Sequence, residues 1–296
     1  LCLQPHVWYV GLASAAGALF LLAGNLRLCG KLTPELRFHA KDFSPRAVWE
    51  VLSTGSWTAL NNLGNLLNSG LDLLITNLML NATAMGQISV AKNLESIVYA
   101  MVLKISTAFR PRCLRLYAEN RIDELAALFK TAMRCTGGFC NLVVLGFWVC
   151  GSDFMTLWLP GQDTEFLFRA GLIVLLSDIS TGAVHPLYYV YTLTKKLRLP
   201  CCITILMGAA NVISMYVLLR YTTLGAYAVI LTTLVISLVH FVDAPLYAAY
   251  CLQLPWHTFY PMLARNAFSL AAGFAAAGLL RRVLPQAGSW AVLAGK

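Results

Sequence analysis

The chain has 296 residues, with 22 Lys and Arg against 13 Asp and Glu and a formal net charge of +9. Hydrophobic residues make up 58% and charged ones only 12%, where a soluble domain carries roughly a quarter. Together with a mean hydropathy of +0.68, this excludes an ordinary soluble protein and gives a polytopic helical membrane protein. The basic surplus does not point to nucleic acid, because Lys and Arg gather in short patches at alternate turns between apolar runs, as the positive-inside rule describes.

The apolar runs decide the architecture. Uncharged stretches at Val51–Leu71, Leu73–Ala91, Leu199–Leu219 and Tyr221–Val242 approach the roughly 20 residues a helix needs to cross a bilayer. A membrane β-barrel would show alternating segments of about ten residues instead. The fold class expected is all-α.

In chain order, a first span covers Val7–Leu28, with Trp8 and Tyr9 in interfacial position. The basic segment Arg27–Arg46 follows, with Pro34 and Pro45, and is placed in the cytoplasm. A long helix over Arg46–Leu78 comes next, with Gly64 and Gly70 as points where it bends. Gln87–Phe109 returns to the basic patch Arg110, Arg112, Arg115 and Arg121, and Leu114–Leu128 reads as an amphipathic surface connection. Further spans are expected at Phe129–Cys150, Phe166–Thr192, Leu199–Leu219, Leu224–Ala249 and Met262–Leu280, with another beginning near Trp290. The stretch from Gly151 to Glu165 reads as an outer loop. Because the chain opens at Leu1 within a span and stops at Lys296 soon after another apolar run, an internal fragment of a longer protein is expected.

Polar residues inside these spans are the candidates for function, since ionisable groups in a hydrophobic segment usually face a bundle interior or a wet cavity. Asn61, Asn65, Asn68 and Asp72 step by four, three and four, which on a regular helix confines them to a stripe about 60° wide. They fit either a polar lining or amides bonded to a packed neighbour, with Asp72 near the outer end and within reach of headgroups. Lys92 and Glu95 are three apart and can pair, with Tyr99 on the same face. They form either a neutralised bridge or a cation offered to a passing phosphate. Asp178, Thr181 and His185 share a face of a later span, as a proton relay or an interhelix contact near Pro186.

Enzyme signatures are missing. No GxxxxGK[ST], HExxH, GxSxG or EF-hand pattern occurs, and the nine cysteines stand at no metal-ligand spacing. No catalytic residue, metal or cofactor is expected. The sequon Asn81-Ala82-Thr83 lies on an outer turn.

From Phe43 to Leu252 the chain resembles the polysaccharide flippases of the multidrug/oligosaccharidyl-lipid/polysaccharide exporter superfamily. The resemblance is carried by FSPRAVWEVLSTGSW, by SGLDLLITNLML with its Asp, by MGQISVAKNLESIVYAM closing on FRPRCLRLYAEN, and by LWLPG. It implies a two-lobe, inverted, alternating-access transporter fold of which mainly the second lobe is present. Residues 1–29 would be the last helix of the first lobe, 30–46 the cytoplasmic linker, 47–250 the second six-helix lobe and 251–296 additional C-terminal helices.

By the same resemblance the cargo is an undecaprenyl-diphosphate-linked oligosaccharide, flipped from the inner to the outer leaflet of the bacterial cytoplasmic membrane. Lys92 looks like the lysine of this span in that family, and a polysaccharide polymerase and other assembly proteins are the implied partners. The substrate pathway would be lined by Asn61, Asn65, Asn68, Asp72, Lys92, Glu95 and Tyr99, with ion coupling at Asp178 and His185. A multidrug or cation antiporter of the same superfamily and an integral-membrane polysaccharide-assembly enzyme are the alternatives.

Overall fold

A computed structural model describes residues 7–32 and 44–283. The expected linker residues 33–43 and the span expected near Trp290 lie outside the described residues. The described residues are all-helical apart from the turns between helices, and the chain divides into two units, 1–54 and 55–296.

The first unit holds α1 (Val7–Leu32) and the start of α2 (Pro45–Asn65). From Gly11 to Leu26 α1 carries no charged side chain, and it is exposed along its length. A helix of that kind is suited to lipid.

The second unit begins within α2. Where one continuous helix was expected to Leu78, α2 gives way to a π turn over Leu66–Gly70, and α3 (Asp72–Met79) restarts after Leu71. After Asn81, α4 (Ala82–Ala108) follows, and the Asn81 side chain accepts a hydrogen bond from Ala84 N at 2.8 Å, capping its first turn. α5 (Arg110–Ala118) carries Pro111 in its first turn, where a missing N–H costs nothing.

α6 (Ile122–Trp158) runs unbroken for 37 residues. It therefore absorbs both half of the expected surface connection and the first part of the expected outer loop. Gly151 and Asp153 do not stop it, because Met155 is fully buried and holds the last turns in the core. Pro160 and Gly161 follow its end, Gly161 with a positive φ of 86°.

α7 (Thr164–Val184) starts on the Asp163 cap, which accepts from Phe166 N at 3.0 Å. Pro186 then tightens the chain into a 3-10 turn over His185–Leu187 before α8 (Tyr188–Leu193). The span expected over Phe166–Thr192 is present as Thr164–Leu193, with this turn inside it. α9 (Arg198–Tyr221), α10 (Ala226–Cys251) and α11 (Tyr260–Val283) complete the described chain.

Six of these segments are long and apolar enough to cross a membrane: Gly11–Leu32, Ile122–Trp158, Thr164–Leu193, Arg198–Tyr221, Ala226–Cys251 and Tyr260–Leu279. The protein is a multi-pass membrane protein. α2 and α4, also read as spans from sequence, do not join this set. α4 has the length, at 27 residues, but Lys92, Glu95 and Lys104 lower its hydropathy.

Within the second unit α7 is central, with 72% of its most apolar window buried, and it packs against α4, α6 and α10. The largest apolar cluster joins Phe129 and Met133 of α6, Leu187, Tyr191 of α8, Ala248 of α10 and Leu263 of α11. Polar side chains tie helices that dispersion alone would let slide. Asn141 donates to Asn266 O at 3.0 Å, and Asn266 donates to Met133 O at 3.4 Å, joining α6 to α11.

In α10, Pro245 removes one backbone donor from the helix. Nearby carbonyls are taken by tyrosine hydroxyls: Tyr260 donates to Val242 O at 2.7 Å and Tyr191 to Ala244 O at 3.1 Å.

Candidate functional site

The buried face of α4 is set by Ile88, Ala91, Val98, Val102 and Ser106, at the three- and four-residue spacing of one helical side. Lys92 and Glu95 lie at the edge of this face, so the helix carries these two charges into the bundle, while Lys104 is exposed. The Lys92 ammonium sits 3.0 Å from Glu95 Oε2 and 2.6 Å from Asp72 Oδ2, with Lys92 13% exposed and Asp72 wholly buried.

Asp72 does not reach for headgroups. It opens α3 directly after the π turn, where free backbone N–H groups at a helix start favour negative charge. The π turn also changes the register, because each of its turns holds about one residue more than an α-helix. Asp72 therefore leaves the stripe expected with Asn61, Asn65 and Asn68. Asn61 is half-buried, Asn65 is exposed and Asn68 is half-buried.

The backbone O of Asn68 accepts from Asn211 Nδ2 of α9 at 2.7 Å. This bond satisfies a carbonyl in the π turn, and the close approach of α9 makes it possible. A Cβ on Gly208 would stand 2.7 Å from Gly64 O and 2.8 Å from Leu67 Cβ, so glycine lets the two backbones meet there.

Asp178 of α7 is also buried, lies within electrostatic reach of Lys92, Glu95 and Tyr99, and its Oδ2 accepts no hydrogen bond among the described residues. The cluster thus assembles Asp72, Glu95 and Asp178 around the single ammonium of Lys92. An excess of carboxylates in a low-dielectric setting calls for protons or a cation as compensation.

Of the two readings open from sequence, His185 makes the interhelix contact near Pro186. Its Nδ1 is 3.0 Å from Ser106 Oγ, and its ring meets Tyr99 and Tyr188 edge-on at 5.6 and 5.7 Å. The 3-10 turn at Pro186 redirects the imidazole toward α4, and no hydrogen bond joins it to Asp178 among the described residues. Thr181 turns back to its own helix, donating to Ser177 O at 3.4 Å. Tyr99, 48% exposed, bridges the two groups by facing His185 while lying near Asp178.

Asp72, Lys92, Glu95, Tyr99, Asp178 and His185 therefore form one region on α3, α4, α7 and the turn after it. Sequence reasoning missed Asn211 and Ser106. The signal for Asn211 was a lone amide in an otherwise apolar span. Among the described residues no group of His, Cys, Asp and Glu is placed to hold a metal ion.

Comparison with known proteins finds a distant homologue. The chain is 29% identical over 253 residues to a Bacillus subtilis (strain 168) protein named uncharacterized membrane protein EpsK, in a match that covers 84% of this chain and 49% of that protein. The chain spans about half the length of the curated relative it matches. No protein-family model matches the chain, and no solved structure matches it.

Proposed function

We propose that this chain is part of a flippase that carries an undecaprenyl-diphosphate-linked oligosaccharide across the bacterial cytoplasmic membrane for cell-surface polysaccharide assembly. The observation that carries this reading is the buried Asp72–Lys92–Glu95 triad with Asp178 beside it, inside a helical bundle where charge is expensive unless it is used. A large anionic lipid needs a wet cavity for its head, and alternation between two helical bundles provides access from either side. The negative-inside potential favours outward movement of an anion by about 2.3 kcal/mol per charge per 100 mV.

In this reading Lys92 is held by two carboxylates between transport events. It meets diphosphate only when α3 and α4 separate, and the carboxylates then released take up protons or a cation from outside. Asp178 is the coupling group and His185 orients Tyr99 beside it. A polysaccharide polymerase acting on the delivered unit is the partner such a cargo requires.

One observation favours a second reading. Carboxylates outnumber the ammonium in the cluster, which suits export of an organic cation by an antiporter of the same superfamily.

The experiment that separates them uses the full-length protein in vesicles, offered a lipid-diphosphate-linked oligosaccharide or a lipophilic cationic dye. Flipping of the sugar lipid that is lost in Lys92→Ala supports the first. Dye efflux without sugar-lipid movement replaces it with the second.

A further inference from the structure

A second site lies away from the charge cluster, where the first turns of α9 adjoin the last turns of α10. Asp243, Tyr247 and Tyr250 follow one another at four and three residues along α10, so they share a face. Leu199 and Ile203 of α9 oppose them, and Trp256 closes one end, lining a groove of about 580 Å³.

Three features of this groove point to one kind of occupant. Its walls are almost entirely aliphatic and aromatic, and the basic turn Lys195–Arg198 leads directly into its first residue, Leu199. Asp243 has Oδ2 3.4 Å from His240 Nδ1, but its buried Oδ1 accepts no hydrogen bond among the described residues. At the mouth, Lys196 Nζ stands 5.0 Å over the Tyr250 ring, while Tyr247 donates its hydroxyl to Lys196 O at 3.3 Å.

A carboxylate among aromatic rings is a seat for a cation, and a lysine ammonium beside it is a seat for phosphate. The aliphatic walls continue both into the hydrocarbon. An anionic lipid without an amine would bring only negative charge to Asp243. A free organic cation would leave the lysine and the apolar walls unused.

We propose that this groove binds a single zwitterionic aminophospholipid, its ammonium on Asp243 beside the stacked rings of Tyr247 and Tyr250, its phosphate on Lys196 and an acyl chain along Leu199 and Ile203. By the positive-inside reading, the lipid comes from the cytoplasmic leaflet. The site depends on the membrane placement of the helices and not on the transported cargo.

The test is native mass spectrometry of the full-length protein released from nanodiscs containing equal amounts of phosphatidylethanolamine and phosphatidylglycerol. Wild type is expected to retain phosphatidylethanolamine preferentially, and Asp243→Asn to reduce that retention about tenfold, as fits loss of a charge-assisted hydrogen bond. Ile203→Trp fills the groove without touching the charged groups and is expected to remove the retained lipid while elution profile and melting temperature stay those of wild type. Equal retention of the two lipids, preference for phosphatidylglycerol, or unchanged retention in Ile203→Trp overturns the proposal. If Asp243→Asn does not fold, the wild-type headgroup preference and Ile203→Trp decide it.

Discussion

The Lys92 ammonium and the Asp72 carboxylate meet at 2.6 Å across two helices, and Asp72 stands there because a π turn ends the helix before it. A local fault in one helix thus places the counter-ion for a buried charge on another. Removing one member of such a pair strands the other in a low-dielectric interior.

Lys92→Ala is accordingly expected to lower stability by about 3–5 kcal/mol. Asp72→Asn, Lys92→Met and Glu95→Gln combined should recover most of that loss, since no charge is then left unpaired. Thermal unfolding of purified protein in nanodiscs checks both, and a Lys92→Ala variant as stable as wild type would show that the triad is not structural.

Asp178→Asn removes a buried carboxylate whose Oδ2 has no hydrogen-bond donor among the described residues. Stability is expected to stay within about 1 kcal/mol of wild type or to rise. In the full-length protein the same change should abolish any dependence of transport on an imposed proton or cation gradient. Stability falling together with transport would assign Asp178 to packing.

Gly208→Ala drives a Cβ to within 2.7 Å of the Gly64 carbonyl oxygen, which belongs to backbone and cannot rotate away. A loss of about 1–3 kcal/mol is expected, read as a lower melting temperature. Asn211→Ala leaves the approach intact but strands Asn68 O, for about 1–3 kcal/mol. Hydrogen exchange in this variant should quicken around Leu66–Leu71 and not in α6.

Glu119 lies in the exposed turn between α5 and α6, bonded to Arg115 at 2.8 Å and to Arg121 at 2.9 Å. Hydrogen bonds from these two guanidinium groups hold its carboxyl below the usual glutamate range. A carboxylate depressed in the folded state contributes stability above its unfolded pKa and loses it as pH falls through the folded value. Solvent screening keeps that contribution small. A carbon-detected NMR titration of Glu119 should show a midpoint below that of an ordinary glutamate, and Arg121→Gln should raise it.

Helices were legible in the sequence wherever hydrophobic runs were long, because the bilayer requires about 20 apolar residues and few sequences supply them by chance. The 3-10 turn at Pro186 was not read from the sequence, although its cause is a plain one, a missing backbone donor. The π turn at Leu66–Gly70 falls where Gly64 and Gly70 marked a bend, but its change of register carried no such mark, since it goes with the packing of α9 on Gly64 and with Asn211 reaching Asn68. The continuation of α6 past Gly151 was hidden likewise, because burial of Met155 outweighs the loop character of Gly-Ser-Asp.

The candidate site divides the same way. The Lys92–Glu95 pair could be read from spacing along one helix. Asp72 as their partner could not, because it depends on the register that the π turn resets. His185 bonding Ser106 in place of facing Asp178 depends on the 3-10 turn.

α10 has a mechanical property that follows from Pro245. Bending a helix ordinarily stretches a rung of its backbone ladder, but Pro245 offers no N–H to Phe241 O, so one rung is absent, and the neighbouring Val242 O and Ala244 O also accept from the hydroxyls of Tyr260 and Tyr191. Side-chain hydroxyls can swing with a moving carbonyl, so flexing here strains one main-chain bond fewer than elsewhere in the helix. α10 also packs directly on the central α7, so this is a compliant joint in a helix that walls the core of the second unit.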